Sequence, residues 1–455
     1  MDDWLKPALD YIPQWLEHQM RETEQPGCVI AIVRKGKVVL EQAFGYVDIV
    51  SRIPLTPRHR FRVASHSKSF TAAGIMKLRE MGKIGLDDRV GRYVQGLHPA
   101  IAEATIAQLL SHSAGIVRDG SDSGQWQDRR PFLDAAELRS DLAAAPVIEP
   151  NTRLKYSNHG YGLAGLVVEA VTGMPYRRWI KEAIIDAAGL EETEPDMPVA
   201  DAVPVARGHS AKLPLGRRVV IPADNPTNAL APATGFVGTA RDLARWFANL
   251  DPAAKQSVLT VASRREMIRR QWRYPHSSLE RYYGLGTVIG KTAEWEWFGH
   301  TGNFLSFASR TAALPDPALA VSVVTNALDG LADRWIDGAI HILASFARHG
   351  APTSGVRDWT GRWWMLGAVV DLVPMGGKVM VAAPSLPNPF ADATEISVSG
   401  PDCGRISLAS GLARHGEPVR RIRGRYGKVD EVWLGGMYLV PEAVIAAELE
   451  QRYRG

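Results

Sequence analysis

Within residues 1–345, strand-like runs lie near the two ends with a long helical stretch between them, and this spacing limits the fold more than any other feature. Residues 28–33 and 38–40 are apolar runs around a polar turn bearing Gly36, the pattern of a β-hairpin. Strand signals return only at 283–289, 295–298, 304–311 and 319–325, close enough together for an antiparallel meander. A sheet built from such distant segments predicts α+β layers, not the alternating strands and helices of a doubly wound fold. Leu9, Ile12, Trp15, Leu16 and Met20 recur at helical spacing ahead of the hairpin. Further helices are expected over 69–81 and over 160–188, the latter with a break at Gly173-Met174-Pro175.

The stretch 346–357 is rich in small and turn residues and reads as a linker. Beyond it, short β-like runs at 359–364, 368–373, 378–382, 395–398, 432–434 and 437–440 suggest a small β-barrel or sandwich over 358–455. The polar stretches 117–131 and 208–228 read as long surface loops of the first domain.

Composition excludes several classes. Hydrophobic residues make up 45% and charged residues 22% of the 455, values of a globular chain. No run approaches the ~20 apolar residues of a membrane span. The start, Met1-Asp2-Asp3-Trp4-Leu5-Lys6, has no secretory pattern, so the cytoplasm is expected. Cys28 and Cys403 are too few for a disulfide scaffold or a thiolate zinc site. The 12 histidines show no metal-ligand spacing, so no metal and no cofactor are expected. Net charge is +4. The short basic clusters Arg264-Arg265 with Arg269-Arg270, and Arg420-Arg421-Ile422-Arg423, read as solvated faces and not as a nucleic-acid surface.

Three short motifs carry chemistry. Ser65-His66-Ser67-Lys68 opens a helix after an apolar run, so Lys68 lies one turn on, where an amine can take the Ser65 hydroxyl proton. Tyr156-Ser157-Asn158 offers a phenol for proton transfer and an amide able to hold Lys68 and a substrate amide. His300-Thr301-Gly302 lies between two strand-like runs, where its glycine would let a substrate backbone approach. Each motif alone has a plainer reading: a capped helix start, a packed turn tyrosine, a surface turn.

Taken in order, Ser-x-x-Lys, Tyr-x-Asn and His-Thr-Gly resemble the serine β-lactamase and penicillin-binding-protein superfamily over roughly residues 10–345. Leu109-Leu-Ser-His-Ser-Ala-Gly115 and the stretch 233–244 add to the resemblance. The branch it is most similar to holds class C β-lactamases, DD-carboxypeptidases, D-aminopeptidases and family VIII esterases. No Glu-x-x-Leu-Asn of the class A kind is present. His300 stands where a class C β-lactamase has lysine, and Asn303 where many relatives have a second glycine. The tail resembles the lipocalin-like domain of D-aminopeptidases. The resemblance implies an antiparallel sheet flanked by helices, an all-helical subdomain and a small β-barrel. It implies Ser65 as nucleophile, Lys68 as its base and Tyr156 as proton carrier to the leaving group. His300 would sit beside Tyr156, tuning it or meeting a substrate carboxylate. Asn158, Thr301, Gly302 and Asn303 would bind substrate, with the oxyanion hole at the Ser65 and Asn303 N–H groups. The substrate is then a small-molecule or peptide acyl compound, cleaved as an ester or an amide. An acyltransferase or peptide cyclase, or a binding protein with little turnover, uses the same motifs. For the tail, roofing the cleft and forming a homodimer contact are both open.

Overall fold

The computed structural model describes residues 2–200, 202–275, 277–409 and 414–454. The chain forms two compact units, Gln25–Ile336 and a second that joins Met1–Glu24 to Asp337–Gly455.

In the first unit an eight-stranded antiparallel sheet is built from both ends of the segment. Its strands are β1 (Gly27–Arg34), β2 (Lys37–Gly45), β3 (Trp272–Arg273), β4 (Tyr282–Tyr283), β5 (Val288–Thr292), β6 (Trp295–Phe304), β7 (Phe307–Leu314) and β8 (Leu319–Thr325). They lie in the order β2-β1-β8-β7-β6-β5-β4-β3. The hairpin joins the late meander through β1 and β8, with Cys28 opposite Thr325 and Val33 opposite Ala320. The apolar runs of β7 and β8 are buried throughout, and that of β1 up to Arg34. Helix Ala240–Leu250 lies against these three strands and buries Leu243, Ala244, Trp246, Phe247 and Leu250.

Helix Ser67–Glu80 is buried on nearly every side. Its Phe70 ring stacks on Trp246 at 4.4 Å and on Phe236 at 4.7 Å. Helix Asn158–Thr172 begins at Ser157, whose side chain accepts from Gly160 N–H, and ends at Gly173 with φ +68. That is the break expected near Gly173-Met174-Pro175. One local expectation changes. β6 extends to Phe304 and β7 starts at Phe307, so His300-Thr301-Gly302 lies inside a strand and not in a link. Pairing of His300 with Thr311 and of Gly302 with Ser309 keeps that run extended, although its glycines break the apolar pattern.

In the second unit, helix Leu5–Glu22 packs through Tyr11, whose hydroxyl donates to Asp371 Oδ2 (2.9 Å), and Trp15, whose indole N–H donates to the Leu386 carbonyl (3.2 Å). The C-terminal strands are β9 (Gly361–Met365), β10 (Ala368–Met375), β11 (Lys378–Ala382), β12 (Thr394–Gly400), β13 (Cys403–Leu408), β14 (Pro418–Arg423), β15 (Val429–Leu434) and β16 (Met437–Leu439). They form one antiparallel sheet in chain order. Trp364 and Val440 exchange backbone hydrogen bonds of 2.8 and 2.9 Å, which nearly closes it into a barrel. Leu372, Val379, Ile396, Ile406, Val419, Val432 and Leu439 fill its interior.

The sequence reading misses β13, β14 and the final helix Glu442–Tyr453. The reason at β14 is arginine. Arg421 is buried, paired with Asp358 (2.9 Å) and Asp402 (3.2 Å), and its guanidinium lies 4.4 Å from the Trp359 ring centre. The cluster 420–423 is therefore not simply a solvated face. Arg264 likewise is buried and donates to the carbonyls of Asp251 and Ala254.

Candidate active site

Ser65 lies in a 3-10 turn, Ala64–His66, that runs directly into helix Ser67–Glu80. Ala64 takes φ +47, a left-handed backbone conformation that surrounding contacts must hold. Ser67 Oγ donates to the Ala64 carbonyl (2.6 Å) and accepts from Phe236 N–H (3.0 Å). His66 Nδ1 donates to the Val63 carbonyl (2.9 Å), and its Nε2 pairs with Thr311 Oγ1 (3.1 Å).

One turn on, Lys68 is fully buried. Its Nζ lies 3.2 Å from Ser65 Oγ, 2.7 Å from Asn158 Oδ1 and 2.8 Å from the Ala233 carbonyl. Burial holds its pKa well below the ordinary lysine value, with Asp119 opposing and Arg118 reinforcing the shift. Tyr156 OH donates to Ser65 Oγ at 2.8 Å. Burial raises the Tyr156 phenol, so it stays protonated at neutral pH. The serine oxygen thus sits between a phenol and an amine that are brought together from two separate segments.

The structure gathers Ser65, Lys68, Tyr156 and Asn158 into one hydrogen-bonded group and sets His300 outside it. His300 is buried, and its Nε2 pairs with Tyr283 OH at 3.0 Å. Tyr283 in turn meets the Tyr156 ring edge-on at 6.3 Å. Burial, His66 and Lys68 all hold the His300 imidazole well below its ordinary pKa. The contacts that link His300 to Tyr156 run through Tyr283. Thr301 is half-buried and Asn303 exposed on the same strand. Gly302 also has a packing reason, beside the substrate approach expected of it. A Cβ there would stand 2.2 Å from the Val63 carbonyl and 2.6 Å from Ser309 Oγ, so the glycine lets β6 pack on the Ser65 turn.

Sequence reasoning missed four partners. Ala233 and His112 lie in the stretches that extended the resemblance, but no role was read for them. The His112 ring packs against that of Tyr156, tilted by 37° at 4.1 Å, and its Nδ1 accepts from Ser157 N–H at 3.2 Å. Tyr283 was read only as a strand residue. Asp119, in a stretch read as surface loop, is buried and accepts from Asn158 Nδ2 at 2.6 Å. Neither carried a signal beyond its residue type. Among the described residues no group of His, Cys, Asp and Glu is placed to hold a metal, and no helix is long and apolar enough to cross a membrane.

The family model described as Beta-lactamase matches residues 12–344. "Penicillin-binding protein 4*" of Bacillus subtilis (strain 168) is 31% identical over 183 residues, 40% of this chain and 40% of that protein. The chain thus spans less than half the length of this curated relative. The octameric penicillin-binding protein homologue from Pyrococcus abyssi matches with a TM-score of 0.67 at 23% identity, over 95% of this chain and 99% of its own. The D-amino acid amidase from Ochrobactrum anthropi SV3, complexed with L-phenylalanine amide, gives 0.65 at 22% identity, over 75% of this chain and 99% of its own. At these identities the structural likeness is one of fold.

Proposed function

The chain belongs to the beta-lactamase family, and from that premise we propose that it cleaves an ester or amide bond through an acyl-enzyme on Ser65. The observation that carries the proposal is the position of Ser65 Oγ between Lys68 Nζ and Tyr156 OH, at 3.2 and 2.8 Å.

A neutral lysine amine has two N–H bonds and one lone pair. The Asn158 and Ala233 oxygens, at 2.7 and 2.8 Å, can take both N–H bonds. The lone pair then faces Ser65, whose hydroxyl donates to it while accepting from Tyr156. In the acylation step Ser65 Oγ bonds to the acyl carbon as its proton passes to Lys68. The backbone N–H groups of Ser65 and Asn303 would receive the oxyanion, a contribution of about 10²–10³ in rate per donor. Tyr156 gives its proton to the leaving nitrogen or oxygen and recovers one from Lys68. Water, or an amine in the transferase reading, then takes the acyl group by the reverse relay.

The substrate class follows from the same residues. A buried His300 that favours the neutral form and is bonded to Tyr283 presents no cation to a substrate carboxylate, unlike the lysine expected in a class C β-lactamase. An esterase, D-aminopeptidase or amidase activity is favoured over β-lactam turnover, and the D-amino acid amidase among the structural neighbours is consistent with that choice.

The test is a panel of p-nitrophenyl esters, D- and L-amino acid amides and nitrocefin. It is combined with intact-mass analysis after a fluorophosphonate. Ester or amide turnover above that of nitrocefin is expected, with one adduct that Ser65→Ala abolishes. An adduct on the alanine variant would remove Ser65 from the mechanism.

A further inference from the structure

We propose that Asp119 is a positioning residue that sets the direction of the general base: through Asn158 it holds the Lys68 amine with its lone pair toward Ser65. The role rests on the serine hydrolase reading above.

The argument begins with an amide that has two different ends. Asn158 Oδ1 faces Lys68 Nζ at 2.7 Å, and its Nδ2 faces Asp119 Oδ1 at 2.6 Å. A carboxylate oxygen only accepts, so it selects the Nδ2 end and leaves Oδ1 for the lysine. With the amide reversed, an NH₂ would meet the lysine N–H groups, and one of the two acceptors that fix the amine would be lost. The Ala233 carbonyl alone leaves the amine free to rotate about one hydrogen bond.

Asp119 is itself held on every side. Its Oδ1 also accepts from Trp126 Nε1 (2.9 Å), and its Oδ2 lies 3.0 Å from Arg118 Nε. The Trp126 ring packs edge-on against Phe132 at 5.2 Å. The start of helix Asn158–Thr172 grips the preceding backbone. Asn158 and His159 N–H both donate to the Arg118 carbonyl, at 2.9 and 3.2 Å, and Ser157 Oγ donates to the Val117 carbonyl at 2.6 Å. After Asp119 the chain turns at Gly120, with φ +80, where a Cβ would stand 2.5 Å from Asp141 Oδ2. The residue and its amide partner are therefore fixed as one rigid unit. Among the described residues, the titratable and charged groups that bear on Lys68 are Tyr156, Tyr161, Arg118, His112, His300 and Asp119, and Asp119 is the one carboxylate among them.

The experiment measures the rate of Ser65 phosphonylation by a fluorophosphonate from pH about 5 to 10. It uses the full chain as wild type, Asp119→Ala and Asp119→Asn. Acylation requires neutral Lys68, so the rate rises as pH passes the Lys68 pKa. Asp119 raises that pKa, so its removal moves the acid limb to lower pH. The alanine variant should lose about 10²-fold in the plateau rate, the lower end of a general-base contribution. The asparagine variant, which keeps an acceptor for Asn158 Nδ2 but not the charge, should lose less and show the same limb shift. If the alanine variant does not fold, the asparagine variant carries the test through its limb. Rates within about threefold of wild type with an unmoved limb would overturn the proposal. A rate loss with an unmoved limb in both variants would also overturn it, because loop damage alone produces that pattern. Absence of label on wild-type Ser65 would instead overturn the serine reading, and this role with it.

Discussion

His66, His112 and His300 are buried imidazoles clustered behind the Ser65 turn and Tyr156, and burial lowers the pKa of each. His66 is lowered to about 4. Above pH about 6.5, the ordinary histidine value, the folded and unfolded chains are both neutral at these positions. Below it the unfolded chain takes up protons that the fold refuses, so stability is lost as pH falls toward the folded values. For His66 the interval from 6.5 to about 4 amounts to roughly 3 kcal/mol. Tm should therefore fall steadily from pH 7 to 4.5, and His66→Gln should make that slope shallower. Thermal melts across that range decide it, and equal slopes for the two proteins would refute it.

At the scale of elements, the decisive contact is between β6 and the Ser65 turn. Gly302 permits it, because the nearest atoms to an added Cβ are the Val63 carbonyl and the Ser309 hydroxyl. Gly302→Ala must push the strand away from the turn that precedes the nucleophile. We expect a loss of about 1–3 kcal/mol, the usual cost of overpacking. Ser65 labelling should slow at least tenfold, since both the turn and the Asn303 N–H move. Tm and phosphonylation rate measured on the same preparation check this, and wild-type labelling speed in the variant would show that the contact is not needed. The same scale explains Arg421. A strand beginning with proline and carrying three arginines is stable in the barrel because one of the three is turned inward onto Asp358, Asp402 and Trp359.

At the scale of the whole molecule, the first helix belongs by its contacts with the C-terminal segment. Tyr11, Trp15 and Gln19 donate to Asp371, Leu386 and Pro384. Trp15 is fully buried. A fragment 1–345, cut where the sequence places the end of the first domain, lacks all three acceptors and leaves that helix without its partners. It should melt below the full chain and give less soluble protein. A 1–345 fragment with the full chain's Tm would support the sequence boundary and refute this expectation.

What the sequence alone determined is what local geometry enforces. Lys68 follows Ser65 by one helical turn whatever the rest of the chain does, and helix Asn158–Thr172 ends where Gly173 and Pro175 require it. The apolar runs of β1 and β8, buried in the sheet, marked the α+β architecture because their pattern is short-range. Tertiary structure decided the rest, because polar partners distant in sequence leave no periodic trace. Tyr156 reaches Ser65 across 91 residues, the Ala233 carbonyl reaches Lys68 across 165, and Asp119 orients Asn158 across 39. His300 was found by its motif, but its partner Tyr283 and its lowered pKa come from burial, which a motif does not encode. The inward Arg421 was hidden for the same reason: ion pairing and ring contact, not residue type, buried one arginine of a basic run whose other members stay exposed.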